Sequence, residues 1–284
     1  MADRNFISQK KGKGQASRLS AQHTQRRGVV GIFGDDAKQH DQKITDVSAA
    51  VLDTLQTEFP NLNFRTRASI KKSEIHQALN TIDEKLGIKL FTEKASIRPD
   101  GTVMEVQDQS GAWRVILVGE SKFQGNDIAN IAAGYRTDTM ERKGQFIMPA
   151  GNAIERVHKN IQEMKNFMLS ERHFPYVVFL QGSNFATEDV VIEWPDGTPI
   201  PISPSDPAVN RIDRVTASNY GMEINQNYCK NLIVSLPTGE QMLQVTSIFA
   251  QAEPFSNESM FHILWDTAIT SLEVLAEDLP KATT

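Results

Sequence analysis

The chain has 284 residues, of which 39% are hydrophobic and 23% are charged, as in an ordinary globular protein. It contains neither an apolar run near the roughly 18 residues that a membrane span needs nor a visible apolar leader. A single cysteine, Cys229, excludes an intrachain disulfide and a cysteine-based zinc site, and we therefore expect a reducing, cytoplasmic environment.

The net charge of −5 is unevenly distributed along the chain. Residues 1–28 carry seven basic residues and one acid, a net charge of +6, so the remaining 256 residues carry −11. Such a basic segment is typical both of an arm that contacts phosphates and of a flexible, solubilising tail. We therefore predict a flexible basic arm over 1–28 and one folded domain over 29–284, and both roles of the arm remain open.

The first half of the folded part is predicted to contain two helices followed by a hairpin. Apolar residues recur every fourth position over 44–59, and a similar apolar face extends over 72–86, so both segments are predicted helices. Residues 102–106 and the strongly apolar run 113–119 flank a short polar turn, which is typical of a β-hairpin. The polar segment 126–145 has no clear periodicity and stays unassigned.

The second half is predicted to begin with a crossover between parallel strands. Apolar positions over 153–169 step by three and four residues and predict a helix, and 174–180 resembles a buried strand. The proline-rich stretch 193–210 is predicted to be a loop, followed by a strand over 242–250 and a helix over 260–275. The predicted fold class is α/β, with helices packed on a mixed central sheet.

One pattern of charged residues carries chemical information. Pro99-Asp100 is followed, after 19 residues, by Glu120-Ser121-Lys122, which comes directly after the apolar run of the second hairpin strand. Residues two apart on a strand point to the same face, so Glu120 and Lys122 should project together while Ser121 points away. If the hairpin prediction holds, Asp100 lies beside them on the neighbouring strand.

Two nearby carboxylates repel each other unless a cation lies between them. Asp100 and Glu120 suit Mg²⁺ as ligands, because this ion commonly takes only one or two carboxylates from the protein together with water and phosphate oxygens. The ammonium of Lys122 could then orient or deprotonate a water, or balance charge on the phosphate in the transition state. The arrangement predicts hydrolysis of a phosphodiester.

The spacing alone is a weak signal, because Glu-x-Lys is also common as a salt pair on surface strands. The buried strand that precedes it favours the chemical interpretation, since charges at the end of such a strand need partners. The Pro-Asp-Gly pattern recurs at residues 195–197, but no Glu-x-Lys follows there, and we predict an ordinary turn.

These charged residues, together with collinear segments along most of the chain, resemble the EcoRI-type family of type II restriction endonucleases. The matching segments are Gly-Val-Val-Gly-Ile-Phe-Gly-Asp at 28–35, Ile-Lys-Lys-Ser-Glu-Ile at 70–75, Ile-Arg-Pro-Asp-Gly at 97–101, Ala-Gly-Asn-Ala-Ile-Glu-Arg at 150–156, His-Phe-Pro-Tyr-Val at 173–177 and Asn-Arg-Ile-Asp-Arg at 210–214. Collinear matches of this length are more specific than three charged residues.

The resemblance implies a restriction-endonuclease-like Pro-Asp…Glu-x-Lys fold and a homodimer. It also implies Mg²⁺-dependent cleavage of double-stranded DNA at the palindrome GAATTC, after the G, leaving 5′-phosphate ends. Asp100, Glu120 and Lys122 match the catalytic residues of the family. The residues that match its DNA contacts are Asn152, Ala153, Glu155, Arg156, Arg211 and Arg214.

The residue types around position 152 fit DNA reading on chemical grounds as well. An asparagine amide can form two hydrogen bonds with the major-groove edge of adenine, and a helix N-terminus favours an anionic partner. The alternative is that Gly151-Asn152 merely begins a helix and that Glu155 and Arg156 form a solvated turn. Two other functions also remain open: a repair or junction nuclease on the same fold, and a DNA-binding protein that does not hydrolyse.

Overall fold

A computed structural model describes residues 35–87, 94–135, 152–203 and 229–281 of the chain. The helices in these ranges are α1 (Asp35–Glu58), α2 (Lys72–Ile82), α3 (Asp127–Ala132), α4 (Asn152–Phe167) and α5 (Asn257–Val274). The strands are β1 (Phe64–Arg67), β2 (Ile70–Lys71), β3 (Ser96–Ile97), β4 (Thr102–Gln107), β5 (Trp113–Phe123), β6 (Tyr176–Gln181), β7 (Val190–Glu193), β8 (Pro199–Ile202), β9 (Leu232–Leu236), β10 (Gly239–Leu243) and β11 (Ser247–Gln251).

A five-stranded sheet in the order β1-β4-β5-β6-β11 forms the centre of the structure. Strands β1, β4 and β5 pair antiparallel, and β5, β6 and β11 pair parallel, so the predicted mixed sheet is confirmed. Helix α4 lies on the connection between β5 and β6, as the strand–helix–strand pattern predicted. Two parallel strands need such a crossover, because the chain must return to the edge of the sheet where the first strand began before the second strand can start.

Helices cover both faces of the sheet. Helices α2 and α4 share one apolar cluster with the sheet, and α1 and α5 share the other. The apolar residues whose spacing predicted α1 and α4 are buried in the structure. Each fully buried side chain of this size contributes about 1.5–3 kcal/mol to the free energy of folding. The buried positions are Val47, Val51 and Leu55 on α1, and Ile154, Val157, Ile161 and Met164 on α4.

Two sequence predictions about the second half were wrong. Part of the predicted loop 193–210 belongs to a hairpin, in which β7 pairs antiparallel with β8 around the turn at residues 195–197. Proline is tolerated in β8 because this ribbon has only two strands, so a missing backbone N–H need not break a central ladder. The predicted strand 242–250 is two strands, since β10 pairs with β9 whereas β11 pairs with β6 in the central sheet.

Element boundaries also differ from the predictions. Helix α1 begins at Asp35 rather than at residue 44, because its first turns are polar and show little apolar repeat. Helix α2 ends at Ile82, and the extended backbone of Asp83 closes it before residue 86. Within the unassigned segment 126–145, the structure places the short helix α3, and residues from 136 onward lie outside the described part.

Arg114 connects β5 to the segment after α4 and to the segment after α5. Its Nε donates to Glu171 Oε1 at 2.9 Å and its Nη2 to Glu171 Oε2 at 2.5 Å. Its Nη1 also lies 3.5 Å from Asp278 Oδ2. The hydrogen bonds that Arg114 donates to Glu171 raise the pKa of Arg114, so the pair favours the charged state of the guanidinium.

Replacing Arg114 by methionine should therefore lower the free energy of unfolding by about 2 kcal/mol, between the values for exposed and buried ion pairs. Urea unfolding without metal would measure the change. Arg172→Met is the matched control, since Arg172 reaches the same Asp278 at 3.6 Å but its side chain is 65% exposed. Equal losses in the two variants would contradict a special role for Arg114.

Candidate active site

Strand β5 carries Glu120 and Lys122 to its C-terminal end, between β4 on one side and β6 on the other. The run from Val115 to Val118 is buried, which fixes β5 in the middle of the sheet. The side chain of Glu120 is fully buried, whereas that of Lys122 is 15% exposed. As the alternation of a strand requires, Ser121 faces the other side, and its buried hydroxyl has no hydrogen-bond partner among the residues that the structure describes.

Asp100 reaches the same place from the turn before β4. The backbone N–H of Gly101 donates to the carbonyl oxygen of Gly119 at 3.1 Å. A Cβ at position 101 would lie 2.8 Å from that oxygen and 2.8 Å from Ile44 Cγ1, so only glycine permits this close approach. The approach holds the preceding residue, Asp100, against the end of β5.

The three charged side chains meet at this edge of the sheet. Lys122 Nζ donates a hydrogen bond to Asp100 Oδ2 and lies 3.0 Å from Glu120 Oε1. The convergence that the hairpin prediction required is therefore present in the structure. Asp100 is 33% exposed and Glu120 is fully buried, so the cluster is open to solvent on the Asp100 side and closed on the other.

Both carboxylate oxygens of Glu120 accept hydrogen bonds from neighbouring elements. The hydroxyl of Tyr176, the first residue of β6, donates to Oε2, and Asn160 Nδ2 on α4 donates to Oε1 at 3.0 Å. Burial raises the pKa of Glu120 to about 8, while the hydrogen bonds from Tyr176 and Asn160 oppose the rise. Without a metal, burial therefore favours the protonated form of this group more strongly than in an exposed glutamate.

Lys122 is affected by burial in the opposite sense. Burial lowers the pKa of its ammonium to about 8, the negative charge of Asp41 on α1 raises it, and the positive charge of Arg156 on α4 lowers it. Lys122 can thus exist in either protonation state near neutral pH. The group is suited to hold, accept or release a proton.

Sequence reasoning missed three residues of this cluster: Asp41, Asn160 and Tyr176. Asn160 is a polar residue next to the apolar stripe of α4, and Tyr176 begins a predicted strand. Either position alone has many ordinary explanations. Only the packing of α4 and β6 against β5 shows that both donate to one carboxylate.

The residues predicted to contact DNA are described only in part. Asn152 and Ala153 begin α4, but their side chains lie outside the described part of the structure, as do Arg211 and Arg214. Glu155 and Arg156 are exposed in the first turns of α4. The charge of Arg156 reaches Lys122, so the start of α4 and the charged cluster are neighbours. The basic arm over 1–28 also lies outside the described residues.

The described residues contain neither a cluster of three metal-ligating side chains nor a helix suited to cross a membrane. Over residues 35–87, 94–135, 152–203 and 229–281, no three histidine, cysteine, aspartate or glutamate side chains are gathered so that they could hold a metal ion. No helix in those same ranges has the length and apolar character that a membrane crossing needs.

The chain matches known proteins over nearly its whole length. A family model described as Restriction endonuclease EcoRI matches residues 26–282. The chain is 50% identical over 271 residues to the Type II restriction enzyme RsrI of Cereibacter sphaeroides, which covers 95% of this chain and 97% of that protein. It is also 50% identical over 269 residues to the Type II restriction enzyme EcoRI of Escherichia coli, with 94% and 96% covered. The chain therefore belongs to the EcoRI family of restriction endonucleases.

Proposed function

We propose that this protein is a sequence-specific endonuclease that hydrolyses phosphodiesters of double-stranded DNA at Asp100, Glu120 and Lys122. The observation that carries the proposal is the meeting of two carboxylates and one ammonium at an edge of the sheet. The family membership supports the same chemistry, because both relatives are named Type II restriction enzymes. An exposed edge, open beside Asp100, suits a polymer better than a small enclosed substrate.

The donor set at this edge fits Mg²⁺. Asp100 Oδ2 and Glu120 Oε1 both approach one cationic nitrogen, so the two carboxylates already share a position that favours positive charge. Two carboxylates are the number that Mg²⁺ commonly takes from protein when phosphate and water fill its other positions. Asp100 and Glu120 would hold the ion, which would act as a Lewis acid on the phosphate oxygens.

Tyr176, Asn160 and Lys122 have separate roles around this metal site. Tyr176 and Asn160 fix the carboxylate of Glu120 through both of its oxygens. Lys122 places positive charge beside the phosphate, which stabilises the charge that develops there in the transition state. With its pKa near 8, the same group can also exchange a proton at neutral pH.

The pKa of Glu120 predicts how the affinity for Mg²⁺ varies with pH. Burial raises this pKa to about 8, so below pH 8 a metal ion must displace a proton from the carboxyl group. The apparent affinity should rise about tenfold per pH unit up to pH 8 and level off above it. Calorimetric Mg²⁺ titrations at pH 6, 7, 8 and 9 would measure this, and a flat profile would contradict it.

We further propose that the DNA site is the palindrome GAATTC, cut after the G with 5′-phosphate ends, and that two chains act together. The 50% identity to RsrI and EcoRI, together with the segments 150–156 and 210–214, supports this assignment. A palindromic site mirrors a two-fold symmetric protein, so the active species should be a homodimer. Sedimentation with a short duplex should show two chains per duplex, and a one-to-one complex that cuts both strands would refute the dimer.

Digestion of plasmid DNA with Mg²⁺, followed by mapping of the ends, tests the function itself. Discrete fragments that end at GAATTC support the proposal. Nicks that depend on DNA structure rather than sequence would instead indicate a repair or junction nuclease, and intact DNA would indicate a binding protein.

A separate prediction concerns the start of α4. The amide of Asn152 is suited to the N6 and N7 positions of adenine, so Asn152→Ala should cost about 1–3 kcal/mol of discrimination at an adenine. Competition between the cognate duplex and duplexes altered at one base pair measures this. If the variant binds all of them more weakly by the same factor, Asn152 does not read a base.

A further inference from the structure

Helix α4 connects the predicted base-reading segment with the buried carboxylate of Glu120. The helix begins at Asn152 and carries Asn160 two turns later, a rise of about 12 Å along a rigid element. At that point Asn160 Nδ2 donates to Glu120 Oε1 at 3.0 Å. One helix therefore bears both the residues proposed to meet the bases and a direct contact to a proposed metal ligand.

The contact is placed where it controls the orientation of the carboxylate. Lys122 Nζ lies 3.0 Å from the same oxygen, Oε1, while the hydroxyl of Tyr176 occupies Oε2. Tyr176 belongs to β6, a strand of the central sheet, whereas Asn160 belongs to α4, so the two oxygens of Glu120 are held from different elements. A displacement of α4 would therefore change the hydrogen bonding of Oε1 and leave that of Oε2 in place.

We propose that Asn160 is a positioning residue that couples base reading by α4 to the orientation of Glu120. When α4 is seated on the correct bases, the amide of Asn160 holds Oε1 so that the carboxylate can share a metal ion with Asp100. On an incorrect site, α4 is displaced, the hydrogen bond is lost and Glu120 is poorly oriented. This inference rests on the proposed function, since it assigns a role within the same site.

Asn160→Ala tests the proposal, because it removes the amide and alanine favours the helix. We expect single-turnover cleavage of the cognate duplex to fall about 10–100-fold, as is usual when a group that supports a metal ligand is lost. The Mg²⁺ concentration for half-maximal rate should rise, while metal-free binding of the cognate duplex changes less than about twofold. Asn166→Ala is the matched control, since Asn166 is an exposed asparagine on the same helix, and it should leave all three quantities unchanged.

The coupling has a signature that a purely structural role lacks. Cleavage of duplexes altered at one base pair should fall less than cleavage of the cognate duplex, because α4 is already displaced on them. The ratio of the two rates should therefore shrink in Asn160→Ala. An equal loss on both kinds of duplex, a parallel loss of cognate binding or an unchanged cognate rate would each overturn the proposal.

Tyr176→Phe provides a second variant that keeps the buried ring and removes only its hydroxyl. Because Tyr176 is not on α4, it should lower cleavage of cognate and altered duplexes by the same factor, in contrast to Asn160→Ala. A shrinking ratio in Tyr176→Phe would also overturn the assignment to α4. Glu120→Gln distinguishes failure of the proposed function from failure of the coupling. If Glu120→Gln cleaves normally, the proposed function is wrong. If Glu120→Gln is inactive while Asn160→Ala is fully active, only the coupling through Asn160 is wrong.

Discussion

Glu120→Gln is expected to reduce cleavage by at least about a thousandfold while leaving specific DNA binding nearly intact. Glutamine keeps the shape of the side chain but removes the negative charge that would hold the metal ion, and that charge serves mainly the transition state. Single-turnover cleavage in Mg²⁺ and equilibrium binding without metal are the two measurements. Glu188→Gln, at an exposed carboxyl group, is the control and should cleave normally.

The same variant should make the metal-free protein more stable at high pH. Burial raises the pKa of Glu120 from its ordinary 4.5 to about 8. A raised pKa means that the protonated group favours folding at low pH, and that this stability is lost progressively as the pH rises from about 4.5 to about 8. Urea unfolding in a chelator should therefore give nearly equal free energies for the variant and the unmodified protein at pH 5, and an advantage of up to a few kcal/mol for the variant at pH 9.

Lys122→Met should also reduce the cleavage rate, by about 10²–10⁴-fold. Its effect on the apparent affinity for Mg²⁺ should be opposite to that of Glu120→Gln. Methionine has a similar length and lacks the charge, so Asp100 and Glu120 lose the ammonium that now lies between them. Two unpaired carboxylates attract a cation more strongly, and the apparent affinity for Mg²⁺ should stay equal or increase.

Calorimetric titration with Mg²⁺ distinguishes the two variants, since Glu120→Gln should bind the ion more weakly. Lys85→Met, at an exposed lysine far along the chain from the cluster, serves as the control. If Lys122→Met binds Mg²⁺ much more weakly than the unmodified protein, Lys122 supports the metal site rather than the phosphate.

Strong apolar patterns were the features of the sequence that predicted structure well. The runs in β5 and α4 are buried on the faces that their spacing indicated, and they place Glu120 and Lys122 on one side of a central strand. The predicted hairpin also placed Asp100 beside Glu120 and Lys122, where the structure has it. These contacts follow from local patterns, because β4 and β5 are neighbours both in the chain and in the sheet.

Contacts between distant segments could not be predicted in the same way. Asn160 and Tyr176 are 40 and 56 residues from Glu120, and nothing in their immediate sequence shows which group they will meet. The strand predicted over 242–250 failed for a related reason, since its two halves pair with different partners. Hydrophobic periodicity shows which face is buried and does not show what covers it.

The wide separation in sequence between Glu120 and its two hydrogen-bond donors affects the order in which the site forms during synthesis. During synthesis from the N-terminus, the β4–β5 hairpin and all three charged side chains emerge before α4 and β6 exist. The carboxylate of Glu120 gains both donors only after residue 176 has been added and β6 has docked against β5. Contacts between distant segments form late, because the long loop must be closed first. An unfinished chain that ends before residue 152 thus carries the three charged residues without the two hydrogen bonds that hold Glu120 in the folded protein.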